Sequence, residues 1–263
     1  VNDLFFSPGR HHAVWKEWRR IGKGKEELFF LEHRQAVLES LSGPRPPRQV
    51  LLARELYAHD PARWDTLARS HRQVRWFLLD GAALDAVASV PAHSGLCAVY
   101  ERSPSSLKSL LSRRFLLLTW ELSDPGNLGT IVRVASGLGD GGLLALGGCD
   151  PWSAKVARAS AGALLQAQVA RLELAEAEAA LDDLQAAGFT LYGAFPQADL
   201  PLQQLPWSPR SAVLLGNETR GLPLPLANRL QPFCIPTSGQ IESLNVAMSA
   251  AIVAWEWRRT IRA

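Results

Sequence analysis

From position 114 onward the chain is built of apolar blocks separated by amphipathic ones. RFLLLTWEL at 114–122, GGLLALGG at 141–148, QVARLEL at 168–174, FTLYGAF at 189–195, SAVLLG at 211–216 and PFCIP at 232–236 are short apolar runs bounded by glycine, proline or charge, the mark of strands. Most of these runs are too continuous to leave one face in water, so they predict a parallel sheet covered on both sides. Between them lie helical patterns. In NLGTIVRVASGLG at 127–139, Leu128, Ile131, Val132, Ala135 and Leu138 recur at helical spacing and bury one face. PWSAKVARASAGALLQ at 151–166, AEAEAALDDLQAAG at 175–188, a short PLPLANRL at 223–230 and a final helix from Ser243 complete the alternation.

Ahead of residue 114 the blocks are shorter. Residues 14–20 are polar and basic, and ELFFLEHRQAVLESL at 27–41 runs from a strand into an amphipathic helix. RQVLLARELY at 48–57 opens another strand, DPARWDTLARSHR at 60–72 is helical, and VRWFLLD at 74–80 and GLCAVYE at 95–101 are strands. This is the pattern of a smaller α/β layer domain. The proline, serines and basic residues of YERSPSSLKSLLSRR at 100–114 separate the two patterns, which predicts domains at 1–105 and 114–263 with a linker at 106–113.

Composition narrows the class. With 263 residues, 47% hydrophobic and 20% charged, the chain is globular, which excludes disorder, collagen and coiled coil as its main state. Cys97, Cys149 and Cys234 are odd in number and far apart, so they supply neither a disulfide framework nor a CxxC metal knuckle, and a reducing, cytoplasmic compartment is expected. No window reaches the roughly 18 apolar residues of a membrane span. The first residues lack the basic and apolar regions of a secretory signal, and Val1 in place of methionine leaves room for residues upstream. The net charge of +3 is uneven: residues 1–113 carry +5 and the remainder −2, which hints at a polyanion held by the front half.

In an open α/β sheet, ligands collect at the carboxyl ends of strands. Three loops of that kind stand out. SDPGNLGTIVR at 123–133 turns into a helix with Arg133 six positions past Asn127; on spacing alone this is an N-cap asparagine and a surface arginine. LGNETRGLP at 215–223 places Gly216 and Gly221 around Asn217, Glu218 and Arg220, either a plain turn or a site where glycine lets backbone approach a ligand. In IPTSGQIESLNVAMSAAIVAWEW at 235–257, Gly239 breaks the chain and Glu242, Ser243 and Asn245 gather at a helix start, with Ser243 a plausible cap. Trp255 and Trp257, two positions apart, do not share one core stripe, so one of them is free for a subunit contact or for solvent. The six histidines fall in the front half without HxH or HExxH spacing, so no metal site is expected. A Rossmann dehydrogenase would need a glycine fingerprint that SDPGNLGTIVR does not have.

Taken together and in this order, SDPGNLGTIVRVASGLG, LLGNETRGL and IPTSGQIESLNVAMSAAI resemble the three motifs of the SpoU (TrmH) branch of the SPOUT RNA methyltransferases, with PWSAKVARASAGA between them also similar. The resemblance covers 114–263. The front part, through FFLEHRQAVLESL and HSGLCAV, is similar to the ribosomal-protein-like α/β RNA-binding domain often fused to these enzymes.

The resemblance implies an α/β fold whose C-terminal domain, with its parallel sheet, is tied in a trefoil knot. It implies a homodimer through that domain and transfer of a methyl from S-adenosylmethionine to a ribose 2′-hydroxyl of structured RNA. rRNA is favoured; a tRNA 2′-O-methyltransferase and a catalytically silent RNA-binding paralogue are the alternatives. By motif position, Asn127, Arg133, Glu218, Ser243 and Asn245 fall on catalytic positions. Gly216, Ile235 and Leu244, with Ala194 and Gly239, fall on the methyl-donor pocket. Thr237, where a larger apolar residue is usual, and Glu242 are the departures. Transfer from a sulfonium needs no metal, only a positioned oxygen that loses its proton. Two roles stand for Arg133, general base or clamp on the hydroxyl and adjacent phosphate, with Glu218 or a water relay as proton acceptor in the second case. Arg19, Arg20, Lys23 and Lys25 in WRRIGKGK read as a flexible phosphate-binding arm on the RNA side.

Overall fold

The computed structural model describes residues 3–9, 11–24, 26–87 and 94–262. In chain order its elements are α1 (Val14–Gly22), β1 (Leu28–Leu31), α2 (Arg34–Ser40), β2 (Gln49–Ala53), α3 (Arg54–His59), α4 (Pro61–Ser70), β3 (Arg75–Leu79), α5 (Gly81–Asp85) and β4 (Leu96–Glu101). Then follow α6 (Leu107–Leu110), β5 (Phe115–Trp120), α7 (Pro125–Gly137), β6 (Gly142–Leu146), α8 (Ala154–Ala159), β7 (Gln168–Leu172), α9 (Ala177–Ala186), β8 (Thr190–Ala194), β9 (Ser211–Leu215), α10 (Leu224–Ala227), β10 (Gln231–Phe233) and α11 (Val246–Arg262). They form two compact units.

The first unit holds the chain up to Arg102 together with Trp152–Gly162. Its four-stranded sheet has the order β1-β4-β2-β3, with β4 antiparallel to both neighbours and β2 parallel to β3. β2 is buried along its whole length, as its central place requires. α1 presses Val14, Trp18 and Ile21 into this core, and Trp18 donates its indole N–H to Gln49 Oε1 at 2.7 Å. Three such anchors leave the opposite helix face to solvent, where Lys16, Arg19 and Arg20 are exposed, with Lys23 just past the last turn. The expected flexible arm is therefore, for Arg19 and Arg20, one face of an anchored helix; Lys25 lies outside the described residues.

Two boundaries differ from those read off the pattern. Residues 106–113 are not a slack connector: α6 buries Leu110 completely, Ser105 donates its N–H to the Val169 carbonyl, and Arg113 bonds Gln168, all within the second unit. The helix expected over 151–166 is short, because Ala161 and Gly162 turn left-handed at φ 49° and 89°. At Gly162 a side chain would meet the Ala36 methyl at 2.3 Å, so only glycine fits. This stretch belongs to the first unit, with Val156 and Ala157 buried and Arg158 3.7 Å from the buried Glu32 carboxylate.

The second unit has a six-stranded sheet in the order β10-β8-β9-β5-β6-β7, parallel throughout. β5, β6 and β9 are buried at every position, the continuous apolar pattern that covering on both faces demands. Alternate residues face opposite sides. Leu116, Leu118, Leu144, Leu146, Ala212 and Leu214 pack with α6 and α9, whereas α11 meets the other face through Trp257, stacked on Phe115 at 4.5 Å. α11 also runs along α7. Trp257 is thus core and Trp255 is 57% exposed, as their spacing demands. Among the described residues no helix is long and apolar enough to cross a membrane.

Candidate active site

Because the sheet is parallel, the segments that follow β5, β9, β8 and β10 leave from one edge of four adjoining strands. The first is turned sharply. Asp124 caps α7, its carboxylate accepting the Asn127 N–H at 2.8 Å, and Pro125 opens the helix with a φ already suited to it. Asn127 is therefore inside the first turn instead of capping it, which leaves its side-chain amide available.

The segment after β9 folds back as a small hairpin closed by Asn217 N–H to Gly221 O at 3.1 Å and Gly221 N–H to Asn217 O at 2.9 Å. Gly216 is glycine because a Cβ there would lie 2.4 Å from the Gly221 carbonyl carbon. The close approach it permits is that of its own hairpin, the turn that the sequence left open beside a ligand contact. Asn217 locks the tip, accepting the Thr219 and Arg220 N–H groups at 3.0 and 3.1 Å and donating to the Glu121 carbonyl at 2.7 Å.

Glu218, at that tip, gathers the site. Its Oε2 accepts the Ser123 N–H and hydroxyl at 3.2 and 3.0 Å, and its Oε1 accepts the Asp124 N–H and the Asn127 side-chain amide at 3.1 Å each. The Asn127 Oδ1 in turn accepts from the Asn245 amide at 2.9 Å, and Asn245 Oδ1 accepts the Ala247 and Met248 N–H groups at 2.9 and 3.3 Å. One chain of bonds thus joins the N-termini of α7 and α11. Asn245 is the cap of α11; Ser243 lies two residues ahead of the cap, is exposed, and has no side-chain partner among the described residues. The helix expected from Ser243 begins at Val246 for that reason.

Partial burial works against the Glu218 charge, but the hydrogen bonds from Asn127, from its own backbone and from Ser123 and Asp124 outweigh it and hold the carboxyl below the ordinary glutamate value. A carboxylate so supplied with donors accepts a proton less readily than a free one. Arg133 projects from α7 into solvent with no partner among the described residues. Ala194 closes β8 and Ile235 lies two residues past β10, both half-buried as is Leu244, and Gly239, at φ 79°, has open space where a side chain would be. Between Ile235 and Leu244, Gly239 alone has a backbone N–H with a partner among the described residues, the Thr237 hydroxyl at 3.4 Å. Such a run of free backbone groups suits a ligand held by main chain, and the half-buried Ile235 and Leu244 with the exposed Ile241 offer apolar surface beside it. Main-chain groups beside apolar surface are the chemistry that a nucleoside-bearing methyl donor would need.

The sequence singled out Asn217 without a role and gave none to Ser123, Asp124 or Glu121. The Asp-Pro pair was a readable signal for the α7 cap. No local signal marks Ser123, because its partner lies about 95 residues away.

A family model described as the SpoU rRNA methylase family matches residues 114–255. The chain belongs to that family. The SpoU match spans the whole hydrogen-bonded cluster from Asn127 to Asn245. The chain is 30% identical over 249 residues to the 23S rRNA (guanosine(2553)-2′-O)-methyltransferase RlmP of Bacillus subtilis, covering 92% of this chain and 95% of that one. It resembles a solved TrmH-family RNA methyltransferase structure from Porphyromonas gingivalis, at 26% identity and TM-score 0.73 over 96% of this chain and 100% of that one. It shares its fold with an AdoMet-bound rRNA methyltransferase structure from Sinorhizobium meliloti, at TM-score 0.81 and 20% identity, over 98% of this chain and 99% of that one.

A depressed Glu218 pKa stabilises the folded SpoU unit above the unfolded glutamate value of about 4.3, and that stability fades as pH falls through the lower folded value. Glu218→Gln is expected to lower the urea midpoint at pH 7, with the gap to wild type closing below pH 4. A gap that stays constant from pH 7 to pH 3.5 would show that the charge contributes nothing.

Proposed function

We propose that this protein transfers a methyl group from S-adenosylmethionine to a ribose 2′-hydroxyl of rRNA. The observation that carries the reading is the bond chain Glu218–Asn127–Asn245, which draws residues of all three motifs to one edge of the sheet. Membership of the SpoU family and similarity to a named 23S rRNA 2′-O-methyltransferase support it, as does the AdoMet-bound neighbour in fold. A binding paralogue without chemistry would have no need to keep this cluster assembled.

When bound, the donor supplies a methyl on a positively charged sulfur, whose transfer leaves a neutral thioether and releases the hydroxyl proton. The main chain of Gly216, Ile235, Gly239 and Leu244, with Ala194, holds the donor at the ends of β9, β10 and β8. Glu218, Asn127 and Asn245 act as one rigid support for the two helix starts, and Ser243 stands free to bond donor or substrate. Arg133 is the clamp, its planar guanidinium presenting a fork of N–H donors that matches a phosphate. It therefore orients the hydroxyl and neighbouring phosphate while the proton passes to water.

The front unit holds the RNA. Lys16, Arg19, Arg20 and Lys23 make the outer face of α1 a phosphate-binding stripe, and Lys25 follows it in sequence. On α11, Met248, Ile252 and Trp255, 62%, 39% and 57% exposed, fall at i, i+4 and i+7 on one stripe. A second copy of the chain covers that stripe in a homodimer. The compartment is the cytoplasm, where rRNA is found.

Incubation with labelled S-adenosylmethionine and unmodified rRNA is expected to yield a labelled 2′-O-methylnucleoside after nuclease digestion; label on a base, or none, would overturn the reading. Arg133→Ala should abolish transfer while donor binding by calorimetry persists, and lost donor affinity would make it a pocket residue instead. Neutralising Lys16, Arg19, Arg20 and Lys23 together should flatten the salt dependence of RNA binding, and an unchanged slope removes α1 from the interface. Trp255→Arg should convert a dimer to a monomer in sedimentation, an outcome that a monomeric wild type would rule out.

A further inference from the structure

Glu121, the residue after β5, is one of two non-glycine residues among those described with positive φ, at 46°. Its N–H still bonds the Leu146 carbonyl at the end of β6, at 2.8 Å, while its own carbonyl is turned the other way, to the Asn217 amide at 2.7 Å. Past Leu122, the backbone N–H groups of Ser123 and Asp124 then point at Glu218. Glycine would hold this conformation without strain, so a glutamate there needs a reason in its side chain. The carboxylate lies 3.3 Å from Arg220 Nη2, at the tip of the same hairpin that presents Glu218. Arg220 is nonetheless 67% exposed, so the pair holds the guanidinium in place and leaves most of it facing outward.

The charge around it explains why a cation is wanted. Asp124, Asp150 and Glu218 surround Cys149 closely enough that, with burial as the larger cause, they push its thiol up to about 11. Glu121 adds a fourth carboxylate to the same loops. A polyanion approaching this edge meets a repulsive field, which Arg133 on α7 relieves at one place. Arg220, on the neighbouring hairpin, is its counterpart.

Building on the proposed methyl transfer to RNA, we propose that Arg220, held ready by Glu121, binds a backbone phosphate of the substrate beside the target ribose. On contact the guanidinium turns its free N–H groups to the phosphate oxygens without giving up its place on the hairpin, whose tip Asn217 keeps rigid. Glu121 positions the arginine and does not touch the RNA.

The test is filter binding of the full chain to an unmodified rRNA transcript between 50 and 200 mM salt, with donor affinity by calorimetry and methyl transfer measured in parallel. Arg220→Gln is expected to make the slope of log affinity against log salt shallower by about one with donor affinity unchanged. Arg220→Lys should restore the slope, and Glu121→Gln, which keeps the arginine but no longer holds it, should keep the wild-type slope while lowering the affinity at every salt concentration. A wild-type slope in Arg220→Gln overturns the proposal. So does an equal loss of slope in Arg220→Gln and Glu121→Gln, which would make the pair a structural brace. If the wild type binds RNA with the Arg220-dependent slope but transfers no methyl, the phosphate contact stands and the enzymatic reading falls.

Discussion

Glu218 is the anion on which two distant loops close. Its four donors come from the turn between β5 and α7, about 95 residues earlier in the chain, and its neighbour Asn127 passes the contact on to the cap of α11. Without a charge at that point, the two amides and the hydroxyl of the 123–124 turn and the Asn127 side chain would have no common acceptor. The hairpin after β9 would then lose four of its bonds to the first motif loop, leaving its contacts to Glu121. The same bonds favour the ionised carboxylate.

The sheet makes this closure possible. Parallel strands put the exits of β5, β9, β8 and β10 on one edge, and the two central ones are buried throughout, so the loops hang from a frame that does not yield. α11 is fixed to that frame by Trp257 against Phe115 and by its run along α7. Its capped end therefore arrives beside Asn127 by packing, and the hydrogen bond between the two asparagines only completes an approach that burial has already set. Gly216 belongs to the same logic: missing its side chain, it lets the hairpin fold tightly enough to hold Glu218 and Arg220 on adjacent contacts.

Much of this was legible in order and little of it in geometry. The strands of both sheets follow the apolar runs closely, because continuous burial leaves a continuous pattern. Both misplaced helix starts come from capping: Asn127 and Ser243 look like caps by residue type, but Asp124 and Asn245 have the side chains within reach of free N–H groups. The basic run at the front was legible as charge and not as a helix face, since its anchors Val14, Trp18 and Ile21 acquire meaning only against a sheet to bury them. The stretch after Pro151 looked like part of the back half by sequence position, and it packs with the front unit.

The α/β class, the parallel sheet of the back half, the family, and which residue types stand at the ends of which strands were already written in the amino-acid order. These are properties of local pattern and of motif order, which one-dimensional information carries. Folding alone set the four donors around Glu218, made Asn245 and not Ser243 the cap of α11, and bent Glu121 left-handed to face Arg220. Each of those depends on which donors surround a group, and donors contributed from a hundred residues away leave no mark in the local sequence.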